Sequence, residues 1–580
     1  MAEIKQVSQI TSLPGVKRDG TNLDGDNYVD AQWCRFVRQE GRPKKMGGYQ
    51  EVGSAIPGPI RTLTVWTRGD FAGLITGSQS GITQANIDAN GGSGTTYDRT
   101  PSGWTTQEGT WTMDTMYDAA VGSASTIIIA HRNNAITSID EATNCQVYFG
   151  LASNTAAFQP ITGLSVSGGI CCIAPYLVYY GNDGLVGWTD INQPQTLTGG
   201  DAGTARVTGA KVVKALPYRA GSGAAAILWS LDSVIKMEYV GGNAIFRFST
   251  LSAQSSIASQ NSVIEYDGDY FWVGVDRFMV MSGGKVQELP NLMSKNFFFD
   301  NLNFDQRQKI WATKIPRFNE IIWFYPTGTN TECNRAVVFN VLTKTWYDFE
   351  LSRSGGYNSQ VFHYPVWGGD SSQKLVRITL SGVTGSFQEG DSVVGVNTNV
   401  PAIVSKVESS TSLLVKPAGA YREDFVVVGE TLNNNSRSGS GATVTAVPIH
   451  SAYIHEKGLN AVTNDAETAI PSWFETSDFG YPTGGAQQNN IQGINRWTRL
   501  IRVEPDFVMN GNMTCEVIGR EFAQQPNTAS SPFTFGVETG KIDMREQRRQ
   551  IHLRFESNEI NGNYEMGRVI LHTEPGDIRS

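Results

Sequence analysis

A short apolar hairpin recurs along the first two thirds of this chain at roughly fifty-residue intervals. Leu74-Ile75-Thr76-Gly77 with Gly81-Ile82-Thr83 is echoed by Ile128-Ile129-Ala130-His131 with Ala135-Ile136-Thr137. Val178-Tyr179-Tyr180-Gly181 with Gly184-Leu185-Val186 follows, then Ile227-Leu228-Trp229-Ser230 with Ser233-Val234-Ile235. The most aromatic copies are Tyr266 to Gly274 with Arg277 to Met281, and Asn319 to Tyr325 with Arg335 to Asn340. Two β-branched or aromatic runs parted by Gly, Asp, Asn or Thr read as antiparallel strands around a tight turn. One such hairpin cannot bury its apolar face alone, so the copies must pack on one another. With Ile82, Ile136, Leu185, Val234, Phe278 and Val337 taken as equivalent, the steps are 54, 49, 49, 44 and 59 residues. That spacing centres on the length of one four-stranded propeller blade. The expected fold class is all-β, a β-propeller of six or seven blades. A string of unrelated sandwich hairpins is the competing architecture.

Composition supports this. Glycine supplies 62 of 580 residues and charged residues only 17%, which suits many turns and little long amphipathic helix. The net charge of −9 disfavours a general nucleic-acid-coating role. Six scattered cysteines lack metal-ligand spacing and read as buried free thiols. Met1 to Leu13 is polar, unlike a signal peptide, and no apolar run is long enough to span a bilayer. A soluble protein made in a reducing cytoplasm is expected.

Four regions are drawn: an N-terminal arm with lead-in strands (1–60), the propeller (61–370), an inserted small β module (371–449), and a C-terminal part (450–580). The last completes the propeller and adds a small β-sheet or sandwich platform. The insertion carries two weak repeats. Phe387 to Val393 resembles Phe425 to Leu432, and Ala402-Ile403-Val404 resembles Ala442-Thr443-Val444, with Gly390 and Gly429 39 residues apart.

Catalytic signatures are missing from the sequence. There is no phosphate loop, no Gly-x-Ser-x-Gly elbow and no helically spaced histidine pair. His450 and His455 are the nearest thing to a metal pair and read as surface residues. Asp24, Asp26 and Asp30 lack the bidentate Glu of a calcium loop and read as a solvated turn. Asp267-Gly268 reads as a hairpin turn. Propeller glycosidases need two convergent carboxylates, which spacing alone cannot reveal. No catalytic residue, cofactor or metal is therefore assigned. Two basic clusters remain: Arg35, Arg38, Arg42, Lys44 and Lys45, and Arg545, Arg548 and Arg549 with Arg554. Either can meet an adaptor, a neighbouring subunit or DNA phosphates, or form a solvated, salt-bridged edge.

The segment from Arg35-Phe36 to Gly41-Arg42-Pro43-Lys44-Lys45-Met46-Gly47-Gly48-Tyr49 resembles the opening of the tail nozzle proteins of short-tailed bacteriophages, the tail tubular protein B-like or packaged-DNA stabilisation proteins. So do Tyr266 to Pro290, Asn319 to Tyr325 with Val337 to Tyr347, and the stretches Trp473 to Thr476 and Arg548 to Phe555. The resemblance implies a non-enzymatic virion protein, a β-propeller in a sixfold ring below the portal and adaptor that carries DNA during ejection. It implies a homo-oligomer, the tail adaptor or head-completion protein, fibres and a needle or plug as partners, with assembly in the host cytoplasm and residence in the virion tail. The alternatives are a propeller that binds or cleaves host glycans and a cellular scaffold.

Overall fold

The computed structural model describes residues 5–576 apart from 22–24, 38–40, 54–55, 57, 69–70, 89–93, 106–107, 122–125, 135–143, 219–222, 292, 358–361, 370–375, 418–425, 448–451, 464–465, 481–496 and 523. Six four-stranded antiparallel sheets follow in chain order, each a simple meander. Their first strands are Ile60–Arg68, Thr110–Tyr117, Gly169–Ile173, Val212–Pro217, Ile264–Tyr266 and Trp311–Ile315. These strands and Gly355–Tyr357 line a central axis, and the last of them packs against both Trp311–Ile315 and Ile60–Arg68. The circle closes with seven blades, an all-β propeller.

The fifty-residue signal marks one strand of each blade. Ile82, Leu185, Val234, Phe278 and Val337 all lie on the third strand of their sheets. Ile136 lies outside the described residues, and the third strand of blade 2 is Cys145–Leu151. The two-residue turn at Asp267-Gly268 is as expected, with both residues at positive φ (51° and 86°) and Tyr266 paired to Asp269.

Apolar seams between blades hold the ring. Ile75, Ile82, Trp111 and Ile128 join blades 1 and 2, and Ile129, Val147, Ile170 and Leu177 join blades 2 and 3. Leu228 with Val178 and Trp272 with Trp229 continue the seams to blade 5. Tryptophans add directed bonds across them, each burying a large ring while its indole N–H finds an acceptor. Trp111 donates to the Ser78 carbonyl (2.9 Å), Trp311 to the Arg353 carbonyl (2.9 Å) and Trp367 to Thr313 Oγ1 (3.2 Å).

Blade 7 has no sequence period because it is assembled from distant segments. Its strand order is Gly355–Tyr357, Val366–Gly368, Ala452–His455, Tyr49–Glu51, Ala461–Thr463 and Ala466–Thr468. Tyr49–Glu51 comes from ahead of blade 1, so the N-terminal segment welds the ring shut. The other described strands of that segment, with residues beyond Pro471, form a platform of three sheets of four or more strands beside a parallel pair, Leu13–Val16 with Asn27–Tyr28. One pairs Gln6–Gln9, Ile570–Pro575, Thr498–Glu504 and Ile542–Arg548. A second centres on Gln550–Ser557 between Ser472–Glu475 and Met513–Arg520. The third joins Cys34–Val37, Arg42–Lys45, Asn563–Met566 and Phe507–Asn510. Residues 1–60 are thus shared between platform and blade 7 rather than standing apart.

The insertion is a closed six-stranded barrel spanning Val376–Thr384 to Gly441–Ala446, with a core drawn only from its own residues. Its sequence repeat is a structural one. Gly390 N–H donates to the Val404 carbonyl and Gly429 N–H to the Val444 carbonyl, both at 2.8 Å. Asp391 Oδ2 accepts from Gln388 N–H and Glu430 Oε1 from Val427 N–H, again both at 2.8 Å. The barrel leaves blade 7 after Gly368 and returns at Ala452, which are cross-strand partners. Replacing residues 371–449 by a two-residue turn should therefore leave a folded propeller with a melting temperature within a few degrees of the parent. The excised barrel should melt cooperatively by itself in a thermal scan.

Candidate functional site

The basic side chains singled out by sequence do not form one surface. In a strand, neighbouring residues point to opposite faces, so Arg35 and Lys44 share one face of their hairpin while Cys34 and Lys45 share the other. Arg35 is buried and faces carboxylates rather than a partner. Its Nε donates to Glu320 Oε1 (2.8 Å), and its Nη1 and Nη2 donate to Glu456 (2.8 and 2.6 Å). Glu320 also accepts from the Tyr347 hydroxyl. The Arg35 guanidinium stacks 3.7 Å from the Phe318 ring centre. Burial raises the Glu320 carboxyl above its usual range, against the pull of Arg35. One arginine thus ties the platform to blade 6 and to the residue following a blade 7 strand. The expectation of a partner-facing Arg35 is corrected: an internal ion cluster claims it.

Lys45 is also internal, with an ammonium that has no hydrogen-bond partner among the described residues; burial lowers it to about 8. Its assignment to a surface patch is corrected likewise. Lys44 pairs with Glu565 (3.1 Å), and Arg42 donates to the Gly567 carbonyl. Arg38 lies outside the described residues. In the second cluster Arg548 pairs with Glu546 (3.1 Å) and Arg554 with Glu475 (3.2 Å). Arg549 lies 5.2 Å above the Phe522 ring, and Arg545 is exposed on the strand Ile542–Arg548.

The histidine and aspartate candidates are also placed. His455 is buried rather than on the surface, stacked on Trp367 (4.0 Å) and accepting at Nε2 from Arg353 Nε (2.9 Å). Burial and that guanidinium hold it well below the usual imidazole range. His450 and Asp24 lie outside the described residues. Asp30 is an ion-pair partner of Arg18 (2.5 Å) and accepts from the Trp473 indole (3.2 Å).

The propeller axis is where a catalytic funnel would sit. At the end where the inner strands begin, it is stoppered. Ser259 donates to the Gln308 carbonyl (2.9 Å), and Gln260 Nε2 reaches across to Thr110 Oγ1 of blade 2 (2.6 Å). Asn133 Nδ2 donates to the carbonyl of Gly168 (3.2 Å), the residue before the inner strand of blade 3, and to Gln260 Oε1 (3.4 Å). Beside this plug Arg61 of blade 1 grips Glu332 of blade 6 with two bonds (2.7 and 2.8 Å), and Lys309 adds a third at 2.8 Å. Those two cations hold the Glu332 carboxyl down at about 2.

On the inner strands, the carboxylates of Asp114 and Glu265 are engaged within the chain. Asp114 accepts from the backbone N–H groups of Thr115 and Cys172 (both 2.8 Å), and burial raises it. Glu265 meets Lys314 (3.2 Å) and Gly268 N–H (2.8 Å). Among the described residues no group of three or more His, Cys, Asp or Glu side chains could hold a metal ion. Sequence reading missed Glu320, Glu332 and Glu456. Only Glu320 carried a signal, as a carboxylate heading an otherwise apolar strand.

No protein-family model matches the sequence, and no curated protein matches it. Solved structures match it only at low identity and low TM-score. An exo-β-1,3-galactanase from Phanerochaete chrysosporium is 8% identical, covering 90% of this chain and all of that one, with a TM-score of 0.24. BamB from Moraxella catarrhalis is 13% identical over 69% of this chain and all of that one, with a TM-score of 0.29. The WD40 domain of a Toxoplasma gondii coronin is 10% identical over 57% of this chain and 78% of that one, at 0.25.

Two outcomes follow from the ion clusters. Arg35→Ala strands two buried carboxylates and should cost roughly 3–5 kcal/mol, read as a lower denaturant midpoint. Glu332 has a folded pKa below its ordinary value of 4.5, so its contribution is present above pH 4.5 and is lost as pH falls toward 2. That contribution is roughly 3 kcal/mol, and Glu332→Gln should remove it at pH 7 and flatten the decline in unfolding free energy between pH 4.5 and 2.

Proposed function

We propose that this chain is a structural protein of a short-tailed phage virion, the tail nozzle, assembling as a ring of six copies that extends the DNA-ejection channel below the portal and adaptor. The observation that carries this reading is the convergence of the segments bearing the resemblance. Phe36, Phe271, Trp323, Tyr347, Phe474 and Phe555 come from six separate stretches of sequence and enter one continuous core. The reading makes the protein non-catalytic, with the adaptor, fibres and a needle or plug as neighbours and double-stranded DNA passing through.

Its charge suits that task. Each phosphate neutralised by Lys or Arg adds salt-dependent affinity, so a conduit works best with few basic side chains toward its lumen. The net charge is −9, and Arg35, Arg61 and Lys309 are already paired internally.

Electron microscopy of the purified protein, with and without its adaptor, should reveal a sixfold annulus. Monomers under both conditions would count against the reading, as would release of reducing ends from host polysaccharide. Once the annulus is mapped, changing lumen-facing Asp or Glu to Lys should slow DNA ejection in vitro, and unchanged kinetics would refute the low-adhesion channel.

A further inference from the structure

Among the described residues, the platform sheet that contains Arg545 is open at both sides. Its strand order is Gln6–Gln9, Ile570–Pro575, Thr498–Glu504, Ile542–Arg548, and the two outer strands have no further strand paired to them among the described residues. Every pairing is antiparallel, and the strand number is even, so the two outer strands run in opposite directions. A second copy added in the same orientation would set its Gln6–Gln9 antiparallel to Ile542–Arg548, the more stable pairing. A contact between two different edges is heterologous, the kind that generates rings when the rotation closes.

The side chains favour that neighbour. Ile542 and Met544 point into the core, while Asp543 and Arg545 face solvent. Asp543 is matched by Arg502 (2.7 Å) and Lys541 (2.9 Å). Arg545, in the middle of this outer strand, has no carboxylate partner among the described residues. Val7 is 63% exposed on the opposite outer strand, in the cross-sheet row Val7, His572, Arg502 and Asp543. Gln6–Gln9 carries no charge and so sets no like charge against Arg545, whose methylenes can cover Val7.

We infer that copies of this chain join edge to edge through this sheet, Gln6–Gln9 of one copy pairing with Ile542–Arg548 of the next. The inference rests on the ring reading above and names its contact. Val7→Cys combined with Arg545→Cys tests it, with Asp543→Cys and Gln547→Cys as second partners for neighbouring registers. Within one copy the two positions are three strand spacings apart, about 14 Å, beyond the roughly 7 Å that a disulfide spans. Any bond must therefore join two copies.

Mild oxidation of the assembled double variants should give a reducible ladder reaching six rungs on a denaturing gel. Wild type and each single variant should not. An annulus in the microscope without a ladder from any pair overturns the edge contact and leaves the ring reading standing. A ladder from open filaments upholds the edge contact and overturns the closed ring. Monomers that do not cross-link overturn both.

Discussion

Closure of the circle of sheets is the constraint on which the rest of this structure depends. Each blade buries its faces against its two neighbours, so a gap anywhere exposes two apolar surfaces at once. The vulnerable joint is the one between the last blade and the first, where no short connection enforces proximity. Here Tyr49–Glu51 enters blade 7 from ahead of blade 1, hydrogen-bonded between Ala452–His455 and Ala461–Thr463. Three strands from two ends of the chain thereby share one sheet. Val52, Ile56, Ile60, Leu74, Val366 and Ile454 then seal the seam between blades 7 and 1.

The Arg35 cluster fixes the platform to blades 6 and 7. Burying a guanidinium and two carboxylates costs several kcal/mol per ion before any attraction is counted. The arrangement persists because all the groups are hydrogen-bonded and because they belong to three bodies, the platform, blade 6 and the stretch after a blade 7 strand. An apolar cluster of the same volume would hold those bodies as strongly but would tolerate sliding. Directional bonds fix how the platform sits on the propeller.

The legible part of the fold was the part whose information is local. A hairpin carries its own pattern, so Leu185, Val234, Phe278 and Val337 could be matched before any sheet was known. The 39-residue offset in the insertion was legible for the same reason and reappears as paired backbone bonds at Gly390 and Gly429. Blade 7 was not legible as a unit. Several of its strands are three residues long, and Glu51 is about 400 residues from its cross-strand partner Tyr453. Blade 2 departs from the period because its third strand begins at Cys145. The basic clusters misled because Lys and Arg are usually exposed, and the carboxylate that buries Arg35 lies 285 positions away. Lys45 had no warning sign at all, since strand parity alone does not say which face is covered.

The axial plug bears on where any passage can run. Ser259, Gln260 and Gln308 are all but inaccessible; Ser259 donates to the Gln308 carbonyl, Gln308 Nε2 to the Ala258 carbonyl, and Gln260 bonds Thr110 and Asn133. Opening a bore there would unpair buried amides, at about 1–3 kcal/mol each, and would part the Arg61–Glu332–Lys309 cluster beside them. Nothing in the seams between blades would repay that loss, because those seams are already packed. The axis is therefore part of the core, so the conduit proposed above would have to lie between copies rather than along this axis. The surfaces that matter are then the outer ones. The exposed Arg545 and, among the described residues, the open sheet edges belong to those surfaces, whereas the paired cations of the interior hold the core together.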